Sequence, residues 1–194
     1  MTLLVLGLLI FFGTHLFSSL RTRVAGSDLR VQIGEPVYMG AYSTIALAGI
    51  VMVWMGYGDA RPATVLYQPP VWGRHLNYVL MPIALIVLVS AYMPTGWIKK
   101  TLKHPMLASV KIWALGHLLA NGDIASVLLF GGFLAYGVIS RISAKRRGDN
   151  GPGPDASVSL SGDIASVVIG LGVAAALILW LHPILFGVAV WPPV

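Results

Sequence analysis

The sequence contains no cysteine and few charged residues, and each shortage excludes a class of protein. Without thiols the chain has no disulfide, thiolate metal site, iron–sulfur cluster, cysteine nucleophile or covalently attached c-type haem. Charged residues make up 10% of the 194 residues, whereas soluble domains carry about 25%. Because 57% of the residues are hydrophobic and the mean hydropathy is +0.81, the composition indicates a membrane protein.

Six apolar runs separated by short polar gaps account for this composition. They comprise residues 2–20, 36–57, 76–93, 105–120, 124–140 and 164–181. As a helix, the first run would extend about 28 Å, close to the roughly 30 Å hydrocarbon core of a bilayer. It has no basic stretch before it and no small-residue cleavage pattern after it, so we expect a retained helix rather than a secretory signal. The sequence predicts an all-α, polytopic transmembrane bundle of about six spans, forming one domain over residues 1–194.

The basic residues are distributed unevenly among the gaps. Ten of the thirteen Lys and Arg residues fall in the first, third and fifth gaps, whereas Arg61 and Arg74 fall in the second. Because basic loops stay in the cytoplasm, this predicts those three gaps on the cytoplasmic side and both termini on the periplasmic side. The net charge of +6 then marks orientation in a bacterial inner membrane rather than nucleic-acid binding. The fifth gap, 141–162, contains Gly151-Pro152-Gly153-Pro154 and is typical of a flexible loop.

One six-residue segment occurs twice. Residues 122–127 and 162–167 have the same sequence, Gly-Asp-Ile-Ala-Ser-Val. Each stands at the start of an apolar run, where aspartate is a favoured helix N-cap. We therefore interpret the two copies as helix starts capped by Asp123 and Asp163, in preference to an inverted repeat of the whole fold.

Ionisable side chains within the apolar runs need a partner or a cavity, because one at the centre of a membrane helix costs roughly 2.5–3.5 kcal/mol. Three such residues lie well inside the runs: His15, Lys111 and His117. Three more lie nearer the ends of the runs: His75, His104 and His182. His104 and His117 would be about 20 Å apart along one helix and about 140° apart around it. These two histidines therefore cannot bind one metal ion.

The sequence leaves two interpretations open for each deep residue. Non-covalent haem iron takes neutral imidazoles from different helices as axial ligands, and His15 and His117 are the deepest candidates. Alternatively, each histidine is hydrogen-bonded to a neighbouring helix. Lys111 either extends its charge toward the cytoplasmic face or pairs with a haem propionate. Asn121 lies one turn from His117 on the same helical face.

Around the histidines the sequence resembles the NnrU family of integral membrane proteins, whose plant relatives are 15-cis-zeta-carotene isomerases. The similar segments are Gly-Thr-His-Leu-Phe-Ser-Ser-Leu-Arg at 13–21, Ile-Gly-Glu at 33–35, residues 104–123 and His-Pro-Ile-Leu at 182–185. The similarity covers most of residues 1–140, is strongest in the fourth helix, and is loose through 141–162.

This resemblance implies a link to denitrification and nitric oxide metabolism and, from the isomerases, a haem b held by two histidines. Those ligands match His15 and His117, and we expect Lys111 and Asn121 beside the cofactor. In the predicted orientation the two histidines differ in depth by several ångströms and up to about ten. By depth, His104 is the alternative partner for His15, and His75 the alternative partner for His117.

Two functions of different classes are compatible with these features. The first is a haem-dependent membrane enzyme, either an isomerase of a lipophilic polyene or a redox enzyme acting on nitrogen oxides. The second is a non-catalytic assembly or maturation factor for nitric oxide reductase, with denitrification proteins as partners. A membrane methyltransferase is disfavoured because Lys103-His104-Pro105-Met106 lacks a clear acidic partner on a following helix. The sequence identifies no catalytic residue.

Overall fold

The computed structural model describes residues 1–24 and 26–190, and the predicted all-α class is confirmed within them. The helices are α1 Thr2–Leu20, α2 Leu29–Gln32, α3 Glu35–Asp59, α4 Val71–Ser90, α5 Trp97–Leu102, α6 Pro105–Ala120, α7 Ile124–Arg146, α8 Leu160–Ala176 and α9 His182–Phe186. A π-helical turn, Leu177–Leu181, joins α8 to α9. The C-terminal residues 191–194, predicted to be periplasmic, lie outside the described residues.

Within the described residues, five helices are long and apolar enough to cross a membrane: α1, α3, α4, α7 and the continuous segment Leu160–Phe186. Each keeps large apolar side chains exposed, for example Leu9, Leu47, Val79, Ile139 and Val168. Exposed apolar surface along whole helices is expected where lipid is the solvent. Helix α6 coincides with the predicted run 105–120, but its 16 residues extend only about 24 Å. Length and hydropathy therefore support five spans, and the sixth stays a prediction.

The loop predicted at 141–162 is shorter in the structure, because helices extend into it from both sides. Helix α7 continues to Arg146, and α8 begins at Leu160, which leaves residues 147–159 between them. The basic side chains in the last turn of α7 favour this extension, since they stabilise the negative end of the helix dipole. The loop is hydrogen-bonded to its neighbours: Ser159 N donates to the Thr95 carbonyl at 2.8 Å, and Lys100 Nζ donates to the Ala156 carbonyl at 2.9 Å.

The two copies of the repeated segment use their aspartates differently. Asp123 caps α7 as predicted, because its Oδ1 accepts from Ser126 N at 2.9 Å and its Oδ2 from Ser126 Oγ at 2.6 Å. Asp163 lies inside the first turn of α8, so its predicted role as the cap of that helix is wrong. Its carboxylate instead accepts from the backbone nitrogens of Trp97, at 2.7 Å, and Ile98, at 3.1 Å. Asp163 thus caps the start of α5.

Most of the basic residues collect at one end of the bundle, where α1, α4 and α7 terminate. Ser143 Oγ of α7 donates to the Ser19 carbonyl of α1 at 2.8 Å. Lys99 Nζ donates to the Ala91 carbonyl just after α4 at 2.9 Å, and the neighbouring Lys100 binds the loop that follows α7, so these helix ends lie together. We call this the basic end. Here Arg21 donates a hydrogen bond to Asp28, which lowers the pKa of the Asp28 carboxyl and raises that of Arg21.

The longer helices form a row in the order α3, α1, α7, α6, α4, α8, in which each helix packs on the next. The two ends of this row approach each other at the end opposite the basic end. There, Trp54 Nε1 on α3 donates to the Leu185 carbonyl on α9 at 2.9 Å, and Tyr78 OH on α4 donates to the Val190 carbonyl at 2.7 Å. The row is therefore curled, and α7 separates α1 from α6.

Candidate functional site

His15 lies on α1, one turn from its basic end, among aromatic side chains. Its Nδ1 donates to the Phe11 carbonyl at 2.8 Å, and its ring stacks on the Phe11 ring with centroids 4.0 Å apart. Tyr42 of α3 and Tyr136 of α7 lie at centroid distances of 5.3 Å and 5.6 Å. His15 therefore stands where three helices meet.

His117 occupies a similar position on α6, near the opposite end of the bundle. Its Nδ1 donates to the Trp113 carbonyl at 2.9 Å. Its ring stacks on Phe130 of α7 with centroids 4.5 Å apart and lies 5.2 Å from the Trp113 ring. Both histidines thus use the same local device, a hydrogen bond from Nδ1 to the carbonyl one turn earlier.

This hydrogen bond fixes the tautomer of each imidazole. Because Nδ1 carries the proton, Nε2 keeps its lone pair, and neither Nε2 has a hydrogen-bond partner among the described residues. Metal-ligating histidines characteristically donate their second ring N–H to a carbonyl or carboxylate in this way. In residues 1–24 and 26–190, no three His, Asp or Glu side chains form a metal site. Haem needs fewer, since one or two axial histidines hold its iron.

The structure brings His15 and His117 to the same helix but not to each other. His15 contacts α7 at Tyr136, and His117 contacts it at Phe130, a separation of six residues or about 9 Å along the helix axis. Phe133 lies between these levels, 5.3 Å from the Phe11 ring and 5.4 Å from the Trp113 ring. The unequal depth expected from the sequence is therefore present. The space between the two levels is filled by the rings of Phe11, Trp113, Phe130 and Phe133, which we call the aromatic cluster.

Comparison with known protein families shows to which family this chain belongs. The family described as NnrU protein matches residues 3–190, which is nearly the whole chain. The chain belongs to the NnrU family. The resemblance recognised around the histidines is thereby confirmed, and it extends through 141–162, where the sequence similarity is loose. No curated protein and no solved structure matches the chain.

In this NnrU protein, a third histidine that the sequence placed only near a helix end lies at the same end of the bundle as His117. His182 begins α9, whose Leu185 carbonyl accepts from Trp54 Nε1 of α3 at that end. Its Nδ1 donates to the Val188 carbonyl at 2.8 Å. Pro183, which lacks an N–H, follows it, and the π-helical turn precedes it, consistent with a proline that interrupts regular helix bonding. No local pattern in the sequence signals this position, because it depends on the contact between α9 and α3.

Asn121 and Lys111, the other predicted cofactor contacts, lie on different sides of His117. The Asn121 Nδ2 donates to the His117 carbonyl at 2.9 Å, and Tyr67 OH donates to the Asn121 carbonyl at 2.8 Å. Asn121 therefore stabilises the C-terminal end of α6, where His117 lies. Lys111 packs against α7, where its Cγ would be 2.8 Å from a Cβ added to Gly137.

The two alternative histidines of this NnrU protein lie away from the aromatic cluster. His104 is the N-cap residue of α6 at the basic end, and its Nε2 donates to the Asp149 carbonyl at 2.9 Å. His75 is exposed in the first turns of α4. Neither contacts the rings that surround His15 or His117 in the described part of the chain.

Proposed function

We propose that this member of the NnrU family is a membrane protein that binds haem b, with His15 and His117 as axial ligands. The observation that supports the proposal is the shared state of the two imidazoles. Each is held by its own helix through Nδ1, keeps Nε2 unprotonated, and packs on one aromatic cluster within the bundle. The resemblance to haem-binding carotene isomerases independently selects the same pair.

The chemistry of these residues fits haem b. Neutral imidazole is a normal axial ligand, and the absence of cysteine excludes the covalent thioether attachment of a c-type haem. The rings of Phe11 and Phe130 stack on the two imidazoles, and together with Phe133 they offer apolar flat surfaces. When bound, the haem would supply an iron centre for electron transfer or for polarising a ligand. Because Phe133 lies between the histidines, the number of axial ligands is the property to measure first.

The absorption spectrum of the purified protein tests this proposal directly. We expect protein made in haem-replete cells and purified in mild detergent to show a Soret band, with sharp α and β bands after reduction. Sharp bands in both redox states indicate two nitrogen ligands, whereas a high-spin spectrum indicates one. Folded protein that contains no haem, and takes up none when haem is added, would contradict the proposal.

The isomerase-like activity implied by the resemblance has one structural feature in its favour. An apolar groove of about 390 Å³ lies between α1 and α7, lined by side chains that include Leu8, Phe12, Leu16 and Leu128. Phe12 also contacts Phe133, with ring centroids 5.0 Å apart. A lipophilic molecule in the groove would therefore touch the aromatic cluster that separates the two histidines.

We further propose that the protein lies in a bacterial inner membrane with its basic end in the cytoplasm, as the charge distribution predicts. The cysteine-free chain suits single-cysteine labelling. Ser157 is exposed in the loop at the basic end, and Gln68 is exposed at the opposite end. In spheroplasts, we expect a membrane-impermeant maleimide to label Gln68→Cys and to label Ser157→Cys only after lysis. The reverse labelling pattern would overturn this orientation, and the unmodified chain is the control for background.

A further inference from the structure

Polar side chains at the basic end are buried without a hydrogen-bond partner. Among the described residues, the buried atoms of this kind at the basic end are Arg21 Nε, Tyr38 OH, Ser140 Oγ and Arg141 Nη1. Ser140 is 5% exposed, so water does not reach it freely. Buried polar groups are normally paired, because an unpaired one costs about 1–3 kcal/mol. An unpaired group in a native structure therefore points to a missing partner.

The unpaired atoms fall into two groups. Arg21 and Tyr38 lie together, because the guanidinium carbon of Arg21 is 5.3 Å from the centroid of the Tyr38 ring. Ser140 and Arg141 are consecutive residues of α7, one turn beyond Gly137. This second group faces α6, because the Lys111 side chain packs against Gly137.

Two cations at this depth also lack a carboxylate partner. Lys111 packs on Gly137, and Arg141 follows Gly137 by one turn of α7. They lie about 9 Å and about 8 Å, respectively, from the ends of their helices at the basic end. Among the described residues neither forms an ion pair, and Asp28, another residue of the basic end, is already paired with Arg21. A charge at this depth without a counter-ion is unfavourable, so an anion would be stabilised here.

We propose that Lys111, Ser140 and Arg141 form a binding site for the oxyanion group, a carboxylate or a phosphate, of an amphipathic molecule. All three side chains can donate hydrogen bonds, and two carry positive charge, so an oxyanion is their complement. The depth of the site places it where the polar head of a molecule meets its apolar body. Haem carboxylates and the phosphate of a membrane lipid share this chemistry. The haem source rests on the proposed function, whereas the phospholipid source does not.

Two pairs of ligands test the site and distinguish its sources. Haem is compared with its dimethyl ester, which keeps the iron but loses both carboxylates, by spectral titration. Phosphatidylglycerol is compared with diacylglycerol, which lacks the phosphate, by native mass spectrometry of the intact protein. We expect the oxyanion-bearing member of at least one pair to bind about tenfold more tightly. Equal binding within both pairs would overturn the proposal. If neither haem nor its dimethyl ester binds, the result contradicts the proposed haem function but not the oxyanion site.

Arg141→Gln is the variant that assigns the effect to this site. We expect it to weaken binding of the preferred oxyanion ligand about tenfold or more, since it removes a charge-assisted hydrogen bond. Arg146→Gln is the matched control, because it removes the same charge from an exposed position on the same helix. Ser140→Ala removes an unpartnered hydroxyl and leaves the fold intact, so it tests the site should Arg141→Gln not fold. If Arg141→Gln matches Arg146→Gln, or Ser140→Ala binds like the unmodified protein, the site is excluded.

Discussion

Replacing His117 with alanine is expected to abolish the absorption bands of bound haem. Partners that merely orient a metal ligand contribute about 10- to 100-fold in affinity, so loss of a ligand itself should weaken haem binding by at least about 100-fold. Among the described residues, the His117 imidazole hydrogen-bonds only to the backbone of its own helix, so its removal breaks no hydrogen bond between helices. The measurement is haem content per protein after purification, together with the reduced spectrum.

Variants of the other histidines show whether loss of the haem bands is specific to His117. For two axial ligands, we expect His15→Ala to convert the sharp low-spin spectrum to a high-spin one. His75→Ala is the control, because that side chain is exposed on α4 and contacts none of the rings around His15 or His117 in the described part of the chain. Added imidazole should restore the bands of His117→Ala if the vacated position is a ligand site. Unchanged spectra in both His15→Ala and His117→Ala would show that neither residue binds the iron.

The helices of this chain follow from local features, and the sequence therefore predicts most of them. Apolar length alone places α1 at residues 2–20, and the aspartate that starts α7 caps it as expected. The second copy of the same six residues has a role that its local sequence does not predict. Asp163 caps α5, which lies 66 residues earlier in the chain, and no property of its own segment predicts that partner. Identical sequences thus have different roles because different helices approach them.

The same distinction separates the predicted and unpredicted parts of the candidate site. The positions of His15 and His117 within their helices follow from depth and spacing. Their separation by Phe133, and the position of His182 at the His117 end of the bundle, depend on the order of helices in the row. Helical periodicity shows which residues share a face, but it does not show that α7 stands between α1 and α6. The neighbours of each histidine therefore emerge only from the assembled bundle.

The close approach of α1 and α3, which positions His15, gives the second large expected effect. A Cβ added to Gly56 would lie 2.3 Å from Leu4 N, a backbone atom that cannot move without shifting α1. Gly7 is the reciprocal position on α1, where a Cβ would lie 2.6 Å from Val53 N. Membrane helices associate through such small residues because packing, rather than exclusion of water, holds them together. We expect Gly56→Ala to lower the free energy of unfolding by about 1–3 kcal/mol through overpacking.

Gly58→Ala separates this effect from helix propensity. Both glycines lie on α3, but a Cβ at Gly58 meets no atom within 4 Å. Since alanine is favoured over glycine in a helix by about 1 kcal/mol, Gly58→Ala should be neutral or stabilising, so the two variants should differ in sign. Thermal or denaturant unfolding in detergent measures both. Equal stability of the two would contradict the α1–α3 contact.

The same contact connects helix packing to the candidate haem site. Because a Cβ at Gly49 would lie 2.8 Å from Phe11 N, Gly49→Ala should also displace the ring on which His15 stacks and change the haem spectrum.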